Sequence, residues 1–487
     1  MTSRCTSISA LLLATLLIGC SEAPDSTDQR APDYDPAEAL PGGDTSVNIV
    51  PFPSSELPAA NLPPALKPDF FAGKALAHQP WVKAPTVTDI RDGLGPLYNA
   101  RTCLACHTKG GRGHVPDSAD VPLLSAFLRL SIPGEDPIHG AIAEPTYGDQ
   151  LQSQSVALGH QLRASQPDLP MSVAPEAYVH VHWQPETFVY PDGEQRQLRR
   201  PRVELKQLGY GPLHPDTTMS LRIAPAIHGA GLIEMIDQAD IDALADPNDQ
   251  NGDGISGRVN QVWDYRRQVA APGRFGLKAN RATLEITVAG AFAGDVGITN
   301  ALFPQQPCSE RQSDCLRQPD GNDAHGSELR DDLLDLVINF NRNIGVPKRR
   351  SPTAKTVLAG RERFYQAGCQ QCHQPSFTTQ TSSEFPHLSA QRIWPYSDFL
   401  LHNMGPDLAD GRSDYQASGR EWRTAPLWGL GLSQQISGSR HFLHDGRARS
   451  VEEAILWHGG EASDSRQRFV QFTHEQRQQL LTFVNSL

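Results

Sequence analysis

The chain has 487 residues and a formal net charge of -12 at pH 7, from 43 Lys and Arg residues against 55 Asp and Glu residues. A chain of this length is expected to fold into two or three packed domains. Phosphate backbones are bound by clustered Lys and Arg side chains, so the acidic balance argues against a nucleic-acid partner.

The N-terminus has the pattern of an export signal. Arg4 precedes the apolar run Ile8 to Ile18, which is too short to span a bilayer as a helix. The run ends in Gly19-Cys20, which is similar to a bacterial lipoprotein signal; an ordinary cleaved signal with an incidental Cys is the alternative. We therefore expect a lipoprotein signal peptide over residues 1–20, acylation of Cys20, and a periplasmic protein anchored in a membrane. Ser21 after the acylated Cys favours the outer membrane.

Residues 21–66 are rich in Pro, Ser, Asp and Ala and show no apolar periodicity. This composition is typical of a disordered tether. No later stretch reaches membrane-spanning length, so the remaining chain is expected to form a soluble body carried by that tether.

Two C-x-x-C-H motifs lie further along the chain, Cys103-Leu-Ala-Cys106-His107 and Cys369-Gln-Gln-Cys372-His373. Two thiols at this spacing on the first turn of a helix reach both vinyl groups of a haem, and the adjacent His supplies an axial imidazole. A zinc half-site is the alternative for a single motif, but zinc would need further ligands and no third C-x-x-C exists. The sequence therefore predicts two covalently attached haem c groups, one in a domain over residues 67–345 and one in a domain over residues 346–487.

Most of the apolar patterning is helical, with one exception. Between about residues 175 and 215 the runs Tyr178 to Trp183 and Thr187 to Tyr190 are β-branched and aromatic, and Pro191-Asp192-Gly193 forms a turn signal, which predicts a β-hairpin insertion. Helices are predicted over six segments: Pro122 to Leu130, Asp237 to Leu244, Glu328 to Asn341, Ala354 to Gln366, Val451 to Trp457 and Glu475 to Leu487.

A weak internal repeat links the two halves of the chain. Residues Arg222 to Leu232 share a pattern of Arg, Ala-Pro and Gly-x-Gly-Leu with residues Arg423 to Leu432, each C-terminal to one C-x-x-C-H motif. The repeat predicts a duplicated haem-binding unit, with chance similarity of Gly and Pro loops as the alternative. Glu234, just after the first copy, is a candidate distal acid/base, and a helix-cap carboxylate is its other interpretation.

A loop from Asp249 to Ser256 is similar to a calcium-binding EF-hand loop. Asp249, Asn251 and Asp253 supply oxygen atoms at positions one, three and five, and Gly254 stands at position six. Position twelve is Asn260 rather than a bidentate Glu. Either a calcium ion or a simple Asp/Asn/Gly turn is consistent with this pattern, and we expect calcium.

Cys308 and Cys315 flank a short polar loop. In an oxidising compartment two cysteines at this spacing most simply form a local disulfide. Two free thiols or a redox-active pair are the alternatives.

The second axial ligand of each iron decides what a haem does. A strong sixth ligand makes an electron-transfer haem, whereas an open position binds peroxide or oxygen. The candidates for the first haem are His114, on a Gly-rich loop close to His107, and the more distant His228. The second haem has four candidates, which are His402, Met404, His444 and His458.

Together these segments resemble the di-haem oxidoreductase family, sometimes labelled thiol oxidoreductases and related to bacterial di-haem cytochrome c peroxidases. The resemblance covers roughly residues 85–487. It rests on the first C-x-x-C-H and on a long ordered set of further motifs: Gly110 to Gly113, Tyr147 to Leu151, Gly252 to Arg258, Gly273 to Gly276, Gly297 to Asn300, Val346-Pro347, Leu401 to Gly405 and Phe442 to Glu461.

The resemblance implies a mainly α fold of two cytochrome c-like haem domains with long loops and a small β-hairpin insertion. In the related peroxidases one haem has two strong ligands and receives electrons, the other reduces hydrogen peroxide, and an ion lies near the domain junction. The sixth ligand of the C-terminal haem is there carried by the helix after the His-Asp-Gly-like run, a position that is His458 here rather than Met. A His ligand lowers the expected reduction potential, because a thioether favours Fe(II) more than an imidazole does.

We therefore expect an exported peroxidase-like enzyme. An electron-donor protein or quinol-linked cytochrome would deliver electrons to the His373/His458 haem, which would pass them to the His107 haem for peroxide reduction assisted by Glu234. An electron-transfer cytochrome without peroxidase turnover, or an oxygenase or protein-modifying enzyme on the same scaffold, are the alternatives. Literal thiol oxidation has little support, since no remaining pair of cysteines has the C-x-x-C spacing.

Overall fold

The computed structural model describes residues 30–49, 54–84, 91–156, 172–322 and 326–487. The predicted signal peptide, Cys20 and the first part of the predicted tether lie outside the described residues. Within the described ranges, no helix combines the length and the apolar character needed to cross a membrane.

The expectation of a mainly α fold with two cytochrome c-like domains is wrong. The structure is 29% helical and 19% strand, and the strands of the described residues form several small two-stranded antiparallel sheets. The segment from Pro122 to Leu130 shows the physical reason. Its alternate residues Ala126, Leu128 and Leu130 are buried, which is the two-residue period of a strand, and the segment pairs with Thr218–Ile223 instead of forming a helix.

The other predicted helices form, together with several short ones. The α-helices of the described residues are α1 Lys67–His78, α2 Cys103–Cys106, α3 Ala230–Glu234, α4 Gln238–Asp242, α5 Leu284–Ala291, α6 Ser313–Leu316, α7 Asp331–Arg342, α8 Lys355–Gln366, α9 Ser433–Ser437, α10 Val451–Trp457, α11 Ser463–Gln471 and α12 His474–Ser486. A π-helical turn spans Phe292–Val296, directly after α5.

Each strand pairs with one other strand. The pairs are β1 Leu97–Tyr98 with β3 Gln154–Ser155, β2 Ala126–Ser131 with β6 Thr218–Ile223, β4 Tyr178–Val189 with β5 Gln195–Lys206, β7 Gln261–Asp264 with β8 Val269–Pro272, β9 Phe377–Thr378 with β10 Arg392–Ile393, and β11 Leu401–Asn403 with β12 Glu421–Arg423.

The two halves of the chain, residues 67–345 and 346–487, contain corresponding helix pairs. In the first half α1 packs on α7, and in the second half α8 packs on α12. A glycine of the earlier helix lies at each crossing, because a Cβ at Gly73 would collide with the carbonyl oxygen of Leu336, and one at Gly360 with that of Gln479. The helices of both pairs therefore approach at backbone distance, which supports the predicted duplication.

The repeated loops face each other at the centre of the molecule. The first loop follows β6 and the second follows β12. Gly229 and Gly429 occupy matching positions with positive φ values of 75° and 71°. The imidazole Nε2 of His228 donates to the carbonyl oxygen of Trp428 at 3.0 Å. These contacts join the two halves through equivalent parts of each.

Hydrophobic side chains are buried in two large clusters. One includes Trp81, Phe292 and Ile338 of the first half, and the other includes Phe364 and Phe483 of the second half. Neither cluster is confined to one half, because the first also contains Phe377, Phe399 and Trp428 and the second also contains Tyr190 and Leu198.

The predicted hairpin forms as β4 and β5, which pair over their full length. Its turn docks on the second half, where Arg477 donates to the carboxylate of Asp192 at 2.7 Å and Tyr190 donates to Glu452 at 3.0 Å. Glu452 belongs to α10. The hairpin therefore extends from the first half and packs against helices of the second half.

Residues 30–49 and 54–66 are packed on the body, so the expectation of a disordered tether does not hold for them. Glu38 is buried between Arg349 and Arg361, with ion-pair distances of 2.8 Å to each. The backbone N–H of Val47 donates to the carbonyl oxygen of Val346 at 2.8 Å. The partners of this segment lie far away in the sequence, and its own composition does not reveal them.

We expect Gly360→Ala to lower the free energy of unfolding by about 2 kcal/mol, because the added methyl group must push α8 away from α12. Urea denaturation monitored by circular dichroism measures this. Gly290→Ala in α5 is the matched control, since a Cβ there meets only ordinary contacts and gains helix propensity of up to about 1 kcal/mol. Equal unfolding midpoints for Gly360→Ala and the native protein would contradict the close helix crossing.

Candidate haem-binding cavity

A cavity of about 510 Å³ lies between the two halves. All six residues of the two C-x-x-C-H motifs that would bind haem line it, namely Cys103, Cys106, His107, Cys369, Cys372 and His373. The two predicted haem sites are therefore brought together in one continuous space.

The first motif forms the short helix α2. The Thr102 hydroxyl accepts a hydrogen bond from the Ala105 backbone N–H at 3.1 Å, which caps the N-terminus of α2. At the other end the Nδ1 of His107 donates to the carbonyl oxygen of Pro225 at 2.7 Å. Burial lowers the pKa of His107, so the ring is neutral and its Nε2 lone pair is free for a metal.

The second motif lies on a 3-10 turn over Cys369–Gln371. The Nδ1 of His373 donates to the carbonyl oxygen of Tyr396 at 2.9 Å, and burial lowers the pKa of His373 to about 4. His458, directly after α10, repeats this geometry, with its Nδ1 donating to the carbonyl oxygen of Ala454 at 2.7 Å. Both rings line the cavity, and the proximity of His458 further lowers the pKa of His373. Two imidazoles with free Nε2 atoms therefore lie near each other, as six-coordinate haem iron requires.

Of the other candidates for the second haem, Met404 also lines the cavity, whereas His402 and His444 are less suited to bind iron. Both nitrogens of His402 are engaged, Nε2 with Asp398 at 2.8 Å and Nδ1 with Glu461 at 2.7 Å. These carboxylates raise the pKa of His402 well above its usual value, so the ring is protonated and has no free lone pair. His444 lies flat against Trp422.

Asp398 and Glu461 hold His402; sequence reasoning missed Asp398 and included Glu461 only as the end of the Phe442 to Glu461 run. Asp398 comes four residues before His402, and this spacing was the one available signal. Cys372, Asp398 and His402 also have ligand atoms within 4.8 Å of one another. Because Cys372 belongs to the second C-x-x-C-H motif and His402 is already held by two carboxylates, we interpret the group as an ion pair beside the haem site rather than a separate metal site.

For the first haem, the residues predicted from the sequence differ in whether they line the cavity. His228 lines the cavity, whereas His114 and Glu234 do not. The Glu234 carboxylate instead forms an ion pair with Arg342 at 2.7 Å. This placement does not support Glu234 as a distal acid/base.

Asp295 is an acid that lines the cavity at the first site. It lies in the π-helical turn after α5, a type of turn that often occurs at functional sites. Its Oδ1 accepts from the Nε2 of Gln150 at 2.7 Å. Burial raises its pKa, while Arg129 and His107 act in the opposite direction. Sequence reasoning missed Asp295, since a single Asp between Gly and Val carries no pattern.

Two cations lining the cavity indicate an anionic ligand. Arg112 donates to the carbonyl oxygens of His441 and Leu443, and Arg423 donates to that of Gly276, but neither forms an ion pair with a carboxylate among the described residues. Removal from water lowers the pKa of both to about 10. Enclosed charge without a counter-ion is costly. The two propionate groups of a haem would supply that counter-charge, so the residues present fit the cofactor.

The 249–256 loop is a tight turn held by its own side chains. Asn251 Oδ1 accepts from the Asp253 N–H at 2.9 Å, and Asp249 Oδ1 accepts from the Gly254 N–H at 3.1 Å. Asn260 is fully buried away from the loop and donates to the carbonyl oxygens of Lys278 and Asp414. Such contacts shape the turn with or without an ion, so calcium binding stays a prediction.

Cys308 and Cys315 are joined by a disulfide with a Cα–Cα distance of 5.8 Å. The free cysteines of the described residues are the four of the two C-x-x-C-H motifs.

A cavity that brings together two C-x-x-C-H sites and a third anchored imidazole defines a protein built for two haems. The sequence model of the family described as "Di-haem oxidoreductase, putative peroxidase" matches residues 42–487, nearly the whole chain. The chain belongs to this family. No curated protein and no solved structure matches it.

We expect His458→Met to raise the reduction potential of the second haem by on the order of 0.1 V, because a thioether favours Fe(II) relative to an imidazole. A spectroelectrochemical titration of the protein carrying both haems measures the change. Met404→Leu is the control, since Met404 also lines the cavity but is not the expected ligand. If the reduction potential changed in Met404→Leu but not in His458→Met, Met404 rather than His458 would be the sixth ligand.

Proposed function

We propose that this protein is an exported c-type di-haem peroxidase that passes electrons from the second haem to the first, where hydrogen peroxide is reduced. The observation that carries the proposal is an asymmetry within one cavity. At the second site His373 and His458 both offer a free Nε2, whereas at the first site His107 offers one and the other cavity-lining imidazole, His228, uses its Nε2 to bond a carbonyl oxygen. A six-coordinate haem suits electron transfer and a five-coordinate haem suits peroxide binding.

Covalent attachment is supported by the placement of the cysteines. All four cysteines of the two motifs are free thiols that line the cavity beside His107 and His373. Addition of each S–H across a haem vinyl group forms a thioether with no other product. The two thioethers and the adjacent imidazole then hold each haem in the cavity.

The first haem, when bound, supplies the iron redox chemistry for reduction of one peroxide by two electrons and two protons to two water molecules. The chain supplies the arrangement around it. The hydrogen bond of His107 to Pro225 orients the imidazole, and Asp295, whose pKa is raised by burial, is the cavity acid that would hold a proton at Oδ for the departing oxygen. Gln150 fixes the Asp295 carboxyl group by its hydrogen bond to Oδ1.

The proposed cellular location and electron donor are inferred from the sequence. The export signal and Cys20 support a periplasmic protein with a lipid anchor, in the outer membrane by the identity of Ser21. An electron-donor protein or a quinol-linked cytochrome is the proposed partner, because the second haem is the site with two strong ligands.

An electron-transfer cytochrome without peroxide turnover is the second candidate. His228 favours it, because this buried imidazole lines the cavity and its Nδ1 has no hydrogen-bond partner. A ring rotation that brings His228 onto the first iron would close that site. Resonance Raman spectra of the ferric protein decide between the two: a high-spin component supports the peroxidase, and two low-spin haems support the carrier.

We expect both haems to stay with the polypeptide after extraction with acidified acetone, because thioether bonds survive that treatment. In Cys106→Ala combined with Cys103→Ala, extraction should release one haem of the two, as measured by the pyridine haemochrome absorbance per protein. Complete release from the native protein would exclude c-type attachment.

We expect Asp295→Asn to lower peroxide turnover by about a hundredfold, because an amide holds no transferable proton. Turnover with an artificial electron donor, corrected for haem content, measures this. Glu234→Gln is the control and should turn over at the native rate, since Glu234 is paired with Arg342 outside the cavity. If Glu234→Gln lowered peroxide turnover and Asp295→Asn did not, Glu234 rather than Asp295 would be the acid/base.

A further inference from the structure

The N-terminal arm, defined as residues 30–49 and 54–66, places a carboxylate in the interior of the second half. Glu38 is 2% exposed and forms ion pairs of 2.8 Å with Arg349 and with Arg361, which are also buried. Taking three charged groups out of water is costly, so such a cluster is weak evidence for stability by itself. Glu38 also precedes residues 42–487, which match the family model, so the match does not account for it.

The same carboxylate accepts a hydrogen bond from a buried tyrosine. The hydroxyl group of Tyr396 donates to Oε2 of Glu38 at 2.9 Å. The Tyr396 ring is fully buried and packs edge-on against Phe364 and Phe483, with a centroid distance of 5.7 Å to each. A hydroxyl group enclosed by apolar rings is costly to bury unless it has an acceptor, and the arm supplies one.

The backbone of Tyr396 holds the imidazole of the second C-x-x-C-H motif. Tyr396 has a φ of 52°, in the left-handed region that bulky residues rarely adopt. In this conformation its carbonyl oxygen accepts from the Nδ1 of His373 at 2.9 Å. A strained backbone conformation persists only where surrounding contacts hold it. The bond from the Tyr396 side chain to Glu38 is one such contact, so the arm and the second motif meet at this residue.

A ring contact also joins Tyr396 to the same imidazole. The Phe364 ring, which packs against Tyr396, has its centroid 6.4 Å from that of the His373 ring. Phe364 and His373 line the cavity, whereas Glu38 and Tyr396 do not. Any influence of Glu38 on a cofactor in the cavity therefore passes through the residues that hold His373.

We propose that Glu38 of the N-terminal arm is a positioning residue for the second haem: by holding the Tyr396 hydroxyl group, it fixes the carbonyl oxygen that orients the His373 ring. This rests on the proposed function, in which His373 and His458 bind the second iron. A hydrogen bond from Nδ1–H to a well-placed carbonyl oxygen sets the ring orientation and makes the imidazole a stronger base. A more basic imidazole favours Fe(III), so the arm lowers the reduction potential of the second haem.

The first test is Tyr396→Phe in the protein carrying both haems, because it removes one hydroxyl group and keeps the ring and both ion pairs of Glu38. We expect shifted g values of the low-spin ferric second haem in electron paramagnetic resonance, since they depend on the angle between its two imidazole planes. The ferrous-to-ferric ratio of that haem at the native midpoint potential should rise by about threefold. Tyr365→Phe is the control, since Tyr365 is a buried tyrosine beside Arg361 that does not line the cavity, and it should keep the native values.

The second test is the double variant Glu38→Ala, Arg349→Met, which removes the acceptor of the Tyr396 hydroxyl group without changing the net charge of the cluster. We expect the same shifts as in Tyr396→Phe, and little further change when the variants are combined, because both break one hydrogen bond. Additive shifts would mean that Glu38 acts independently of Tyr396 and would overturn the proposal. Asp35→Asn, Arg392→Met is the control, since it removes an exposed ion pair of the same arm.

The signal of the second haem is assigned by its loss in His458→Ala, and Tyr396→Phe decides the question if the Glu38 double variant does not fold. Native g values and a native potential in Tyr396→Phe would overturn the proposal, because a purely structural role changes only the free energy of unfolding. Neither measurement uses peroxide, so a failure of the proposed peroxidase activity leaves both readouts intact. A native protein without a low-spin haem that depends on His458 would contradict the proposed ligand pair and this inference with it.

Discussion

Three hydrogen bonds from imidazoles to backbone carbonyl oxygens determine what this cavity is able to hold. His107, His373 and His458 each donate from Nδ1, and this leaves each Nε2 as a lone pair beside the same space. A bonded Nδ1 fixes both the tautomer and the ring orientation, which is how proteins prepare histidine for a metal. Without these bonds the C-x-x-C-H motifs would place thiols but not a directed ligand.

The duplicated architecture explains why two sites share one cavity, and the departures from it explain why they differ. Both halves cross a helix pair at a glycine and present a repeated loop to the centre. At matching loop positions one half has His228 and the other Trp428. The second half adds α10, which carries His458 into the cavity, and the described cavity lining of the first half contains no matching imidazole with a free Nε2. The asymmetry on which the proposed function depends follows from these few side chains.

Sequence reasoning succeeded for local features and failed for distant ones. The C-x-x-C-H motifs, the hairpin and helix α10 are each specified by residues close together in the chain. The mainly α fold was wrong because strands such as β2 depend on a partner almost a hundred residues away. Composition also failed for residues 30–49 and 54–66, since Glu38, for example, is held by Arg349 and Arg361, more than three hundred residues away. Glu234 was chosen for its place in the sequence, and the fold pairs it with Arg342 instead.

The sequence alone determined that the chain carries two C-x-x-C-H motifs, because the spacing of two thiols and one imidazole is a matter of local covalent geometry. Only the tertiary structure decided which imidazoles keep a free Nε2 and which acid lines the cavity. His458 is anchored locally by Ala454, but the groups that hold His107, His373 and Asp295 come from elsewhere in the chain: the carbonyls of Pro225 and Tyr396 and the amide of Gln150. Contacts of that kind are made when distant segments pack together, and no short run of residues encodes them.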